Sequence, residues 1–346
     1  MRIGLYLIFA MIFTALVGAF VYTLQLGDYS HSLLGISLNL PVFVWVTLPV
    51  LLLMIFSVLH MAYYGTVNFF ARKRWEKDAA TFQDALYWSL LKEPKEHKYS
   101  IKQIGDGAKL LANSTIDVAG NTDGISDKFR SVIGLIQDVN RGEYVNLKEK
   151  KLANKLSKEN PILIKNNINR LSADPKFVEE VLQSTAAYNK ETIAKALEIF
   201  AQNETFFKAK KYAKLFDVEN FFVLLERAAA SKEDIGMNEE MIKTFVTELP
   251  FRCREYMHLA KVCLQKFTPD SNLEMFKGFR KIDEDANQAY LYLLFEYEML
   301  DAIEEFLNDF SVNEFVRFRA LFTIKKSNHK YNIESLVSSY AVCDEN

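Results

Sequence analysis

The sequence predicts an all-α protein: a two-helix transmembrane hairpin, then a cytoplasmic α-helical domain of solenoid-like, degenerate tetratricopeptide-like build. Three observations predict it. Residues 3–26 and 42–71 are apolar runs without a charged side chain. Each can cross a hydrocarbon core of about 30 Å, which takes about 20 helical residues. From about residue 145 onward, helical periodicities of similar length follow one another, with turn signals between them and no strand pattern. Half of the residues are apolar while mean hydropathy is near zero, so the apolar excess sits in the two runs. The expected divisions are 1–74 for the hairpin, 75–144 for an amphipathic helix and connector, and 145–346 for the helical domain.

In hydrocarbon every backbone polar group must be paired internally, so both runs are expected to be helices joined by a loop over 27–41. Arg2 precedes the first run, and Arg72, Lys73, Arg74 and Lys77 follow the second, whereas the loop offers only Asp28 and His31. Basic residues stay on the cytoplasmic side, which puts both termini and the large domain there. The same four residues after the second run are candidate contacts to lipid headgroups. Tyr6 and Tyr22 in one run, and Trp45 and Tyr64 in the other, suit two interfacial belts. The first run is longer than the apolar stretch of a signal peptide and reads as an uncleaved anchor. Within it, Ala10, Thr14 and Gly18 form a stripe of small residues that lets another helix backbone approach. That helix is the second span or a second copy of the chain. Pro49 should bend the second span.

The loop reads Leu34-Gly35-Ile36-Ser37-Leu38-Asn39-Leu40-Pro41, and its apolar–polar alternation from Ile36 to Leu40 predicts a short extended segment. Together with the Met1-Arg2 start and the two flanking spans, this series resembles the lipopolysaccharide assembly protein A family of bacterial inner-membrane proteins. The resemblance covers about residues 1–75 and brings no catalytic residue. It implies a multi-pass protein of the bacterial inner membrane that works with a partner bearing tetratricopeptide repeats. Members mostly end soon after the second span, whereas this chain continues into a large domain. The zinc-binding Cys-x-x-Cys pairs of the usual partner are absent.

Beyond the basic cluster, Trp75, Ala79, Phe82, Ala85, Leu86, Tyr87 and Leu90 fit an amphipathic helix that breaks at Pro94. The stretch 105–142 is glycine-rich and polar, with one helical pattern from Phe129 to Val139. A calcium-loop reading around Asn121-Thr122-Asp123-Gly124 fails, because the first ligand position falls on Ala119 and the bidentate glutamate position on Arg130. Helices are then expected near 148–158, 160–171, 175–187, 190–201, 204–214, 218–231, 238–248, 252–266, 271–281, 285–297, 299–308, 312–327 and 331–340. Their breaks fall at Asp174-Pro175, Asp217, Gly236-Met237-Asn238, Pro250, Pro269-Asp270 and Asn308-Asp309. Such a chain either stacks pair on pair or folds as a compact irregular helical domain; stacking is the expectation.

The net charge of −2 gives no electrostatic case for nucleic acid. Cys253, Cys263 and Cys343 have no metal-binding spacing and read as buried or incidental thiols of a reducing compartment. The five histidines make no zinc motif, and no nucleophile elbow or phosphate loop occurs. No catalytic residue, metal or cofactor is therefore expected. Phe206, Phe207, Phe216, Phe221 and Phe222 read as helix core. Charge is uneven: eight Lys or Arg against three acids over 148–176, then ten acids and no Lys or Arg over 283–314. Solvated faces account for much of both runs. Beyond that, the basic part suits anionic lipid, and the acidic part, with Asp301, Glu304 and Glu305 as candidate contacts, suits a basic partner. The expected function is a membrane-anchored scaffold that binds a protein partner; the alternative is an accessory subunit of a transporter or channel.

Overall fold

In a computed structural model, which describes residues 3–33, 36–231, 235–327 and 337–343, the chain begins as two long apolar helices. They are α1 (Ile3–Thr23) and α2 (Val42–Leu90), both long and apolar enough to cross a membrane. They pack along each other and leave Phe9, Phe13, Phe20 and Phe56 exposed on their outer faces. Between them lies an antiparallel ribbon, β1 (Asp28–Leu33) and β2 (Ile36–Pro41), with Asp28 opposite Pro41 and Ser30 opposite Asn39. The expected extended segment is thus one of two strands. Its partner, an unpatterned Asp-Tyr-Ser-His-Ser-Leu, carries no alternation to announce it. Gly27, at φ +67°, turns the chain out of α1, and its carbonyl accepts from Val42 N at 3.2 Å to close the hairpin.

The basic cluster after residue 71 predicts a second span distinct from the amphipathic helix; instead α2 is one helix of 49 residues, about 74 Å long. No Gly or Pro interrupts residues 72–90, and Arg72 reaches Glu76 one turn on at 2.9 Å. Pro49 lies within this helix. The far end of α2 is packed by α3 (Lys102–Ala108) and the short 3₁₀ turn after it. Asp78 of α2 is fully buried and accepts from the backbone N–H groups of Ser100 at 2.8 Å and Ile101 at 2.6 Å, where α3 begins. Helix α4 (Asp127–Asn140) follows.

The chain divides into two units, Met1–Ile133 and Gly134–Asn346. The second contains α5 (Pro161–Ala173), α6 (Pro175–Gln183), α7 (Lys190–Asn203), α8 (Phe206–Lys210), α9 (Val218–Ala230) and α10 (Glu239–Glu248). Next come α11 (Cys253–Cys263), α12 (Pro269–Phe279), α13 (Asn287–Glu296), α14 (Leu300–Asn308), α15 (Val316–Lys326) and α16 (Ser339–Cys343). Most starts are written in the sequence. Side-chain oxygens of Asn160, Asp174, Asn189, Asp217, Asn238 and Thr268 accept from the first free N–H groups of α5, α6, α7, α9, α10 and α12. Pro161, Pro175 and Pro269 fill first positions whose N–H would have no helical partner.

Alternate helices lie side by side: α5 on α7, α7 on α9, α9 on α11 and α11 on α13. The intervening helices form a second row, α8 on α10 and α10 on α12, with α6 closing on α7 and α12 and α14 on α13. This is the two-layer, neighbour-to-neighbour order of a solenoid. Helix α13 is buried nearly all round, as the apolar run Tyr290–Phe295 requires.

Three expectations need correction. Residues 148–158 form hydrogen-bonded turns rather than a helix, with Lys151 in the left-handed region at φ 55°. Phe206, Phe216, Phe221 and Phe222 are core, but Phe207 is 67% exposed, its ring laid over the bare backbone of Gly236. Cys253 and Cys343 are not separate thiols: they form a disulfide that ties α16 to α11, leaving Cys263 free and buried. A pairing over 90 residues of chain is a product of the helix stack and is invisible in local spacing. Of the last expected helix, residues 331–336 lie outside the described residues.

Candidate functional site

The small-residue stripe meets the second helix at Gly18. Thr14 is buried and turns its hydroxyl back to the Ala10 carbonyl at 2.8 Å. At Gly18 a Cβ would stand 3.1 Å from Thr47 Cγ2, so the missing side chain is what lets α1 approach α2 there. The ribbon is tied to the second span by Trp45, whose indole N–H donates to the Tyr29 carbonyl at 3.0 Å. Tyr22 and Phe43 meet edge to face, centroids 5.6 Å apart, at the same end.

Arg72, Lys73, Arg74 and Lys77 are all exposed on α2, on the stretch just past its apolar part. Among the described residues only Arg72 of the four is engaged with a carboxylate, that of Glu76. The aromatic side chains of Phe69, Phe70 and Trp75 are exposed around them. Of these rings the Trp75 indole is amphipathic, and an indole beside cations is a composition typical of a membrane–water boundary.

In the second unit, α5 and α6 meet in a cleft lined by Tyr144, Asn167, Arg170, Phe177, Glu180 and Tyr188. The Arg170 guanidinium stacks 4.0 Å from the Phe177 ring centre and 5.5 Å from that of Tyr144. It also reaches Asp174 at 3.2 Å and Glu180 at 3.9 Å, so its charge is offset. The Tyr188 hydroxyl donates to Glu180 at 3.0 Å. Burial, then this hydrogen bond and the Glu180 charge, push its phenol up to about 12. Such a floor, with one cation between two carboxylates and aromatic rings at its edge, offers stacking and hydrogen bonding. Nothing in the sequence pattern announces it, because Tyr144, Arg170 and Tyr188 share no motif and meet only through folding.

Asp301, Glu304 and Glu305 lie together on the outer face of α14, all exposed. Glu304 pairs with Lys326 of α15 at 3.0 Å. Other acids of this run have internal tasks. Asp283 accepts from the Tyr256 hydroxyl at 3.2 Å and from Asp285 N at 3.1 Å, and Glu314 accepts from Ser311 N at 2.8 Å. Glu298 lies 3.6 Å from Lys325. The acidic run is therefore partly structural, while Asp301 and Glu305, like Glu284 and Asp309, are exposed. No known protein family, curated protein or solved structure matches the chain.

Proposed function

We propose that the protein is an adaptor anchored in a bacterial inner membrane, whose stacked helical unit captures a protein partner on the cytoplasmic side, and that it is not an enzyme. The observation that carries this reading is the side-by-side run of α5, α7, α9, α11 and α13. Such a stack grows in one dimension and offers an extended surface, the usual platform for another chain. The basic cluster after the second span supports the orientation. The resemblance of residues 1–75 to lipopolysaccharide assembly protein A supports a role in assembling lipopolysaccharide or a similar envelope polymer. The exposed acidic face of α14 supports a partner with a basic surface. A photo-crosslinking residue at position 301 or 305 of the full chain, activated in native membranes, tests the reading. A discrete protein adduct is expected.

The second reading, an accessory subunit of a transporter or channel, draws on the spans themselves. Their outer faces stay open to lipid or to other spans. Adducts to a multi-span protein from positions 9 and 56, with none from 301 or 305, would favour it.

A further inference from the structure

We propose that the lysine-faced loop over residues 148–158 is a second membrane contact, which docks on the anionic lipid headgroups of the bilayer that holds the hairpin. Lys148, Lys150, Lys151, Lys155 and Lys158 are all exposed. Among the described residues none of their ammonium groups meets a carboxylate. Elsewhere in this unit, Lys195, Lys208, Lys210 and Lys326 pair with Glu198, Glu179, Glu240 and Glu304. The basic run is thus split by the fold. Lys165 donates to Asn140 and Arg170 is held by Asp174, so the charge that meets no carboxylate is that of the five loop lysines and of exposed Lys176.

The loop is built, not loose. Leu147, Leu152 and Leu156 are buried beneath it, and Leu152 N donates to the Leu147 carbonyl at 2.9 Å. Lys151 N donates to the Lys148 carbonyl at 3.0 Å. Buried Asn166 clamps one end through both its amide atoms, to Val145 N at 2.8 Å and Val145 O at 3.0 Å. Asn160 pins the other end as the cap of α5. With the leucines turned in, Lys148, Lys151 and Lys155 converge on one depression beside Asn154. Like charges gathered on a fixed loop repel one another unless an anion lies opposite. Two helices long and apolar enough to span a membrane tie the chain to a bilayer, and the cytoplasmic leaflet of a bilayer is an anionic surface. Each lysine brought to such a surface favours contact by about fivefold.

The experiment uses the full chain in nanodiscs of phosphatidylcholine alone or with about one third phosphatidylglycerol, whose two leaflets carry equal charge. Amine acetylation, read by mass spectrometry, reports each lysine. Acetylation of Lys148, Lys151 and Lys155 is expected to slow about fivefold or more in the anionic discs, while Lys243 and Lys277 keep their rates. The protection should vanish in about 1 M salt, where screening acts within about 3 Å. In K148Q/K151Q/K155Q, Lys150 and Lys158 should lose theirs. Equal rates in both discs, slowing of every exposed lysine alike, or protection that resists salt would each overturn the proposal. So would protection by an oligonucleotide in neutral discs without any from anionic lipid. No partner protein is present, so the result stands apart from the capture reading above.

Discussion

Cys343, in the last helix of the described chain, is bonded to Cys253 at the first position of α11, the helix packed between α9 and α13. The bond fastens the C-terminal segment to the middle of the stack, where Val337 and Val342 are buried. Protein purified without reductant should give a linked Cys253–Cys343 peptide, and C343S should destabilise the helical unit by about 2–5 kcal/mol. Cys263 should resist alkylation until the unit unfolds, since burial pushes its thiol pKa well up. A reducing cytoplasm works against such a bond. Alkylation in intact cells before lysis therefore tests the orientation as well: free Cys253 and Cys343 fit the cytoplasmic side, and a blocked pair places the unit on the oxidising side.

Gly18 and Thr47 define the second prediction. G18L should force α1 from α2 and cost about 1–3 kcal/mol, seen as a lower melting temperature in detergent. G18A should cost less, because only the Thr47 methyl, 3.1 Å from the new Cβ, has to yield. T47S removes that methyl and keeps a hydroxyl for the Phe43 carbonyl, which Thr47 meets at 2.9 Å. G18A combined with T47S should then recover stability. Failure to recover would locate the strain elsewhere.

Charge reversal on α14 tests the partner surface. E304K/E305K should slow association with the captured partner about tenfold at low salt, and the difference should shrink as salt rises. The double variant also sets a second cation against Lys326, which pairs with Glu304 in the unaltered chain. Adding K326E restores that internal pair but not the acidic face. If adding K326E rescues capture, the effect is one of folding and not of docking.

Alkaline pH should weaken the helical unit. The folded chain holds the Tyr188 proton to about 12 against an ordinary 10.0, through burial first and then Glu180. Unfolded chain binds fewer protons in that window, so the stabilisation is complete below pH 10.0 and is lost as pH rises toward about 12. Y188F should flatten this part of the melting-temperature profile. Tyr256 is held up in the same direction by burial and Asp283, so a residual slope should remain.

The spans, the all-helical class and most helix starts are legible in the sequence, because each rests on local chemistry. Runs without charge, Asn or Asp before a first turn, and Pro at its opening all act within a few residues. What depends on distance is not legible. The continuity of α2 past Lys77 hangs on the absence of a breaker, a weaker signal than the charge change beside it. Residues 148–158 carry enough leucines for a helix, but those leucines serve a folded loop. The Tyr144–Arg170–Tyr188 cleft and the Cys253–Cys343 bond join residues that no spacing relates. The acidic stretch is uniform in sequence, and only the fold separates Asp283 and Glu314, used internally, from Asp301 and Glu305.

Helix α2 carries its apolar and its charged parts on one continuous axis, with a ladder bond missing only at Pro49, whose nitrogen bears no hydrogen. Any rotation of the span about its axis turns Asp78 and Trp88 with it, without a hinge to absorb the torque between. A tilt of about ten degrees moves one end of a rod about 74 Å long by about 13 Å relative to the other. Helix tilt answers to bilayer thickness. A tilt of α2 would therefore carry with it Asp78 and the α3 amides that Asp78 holds.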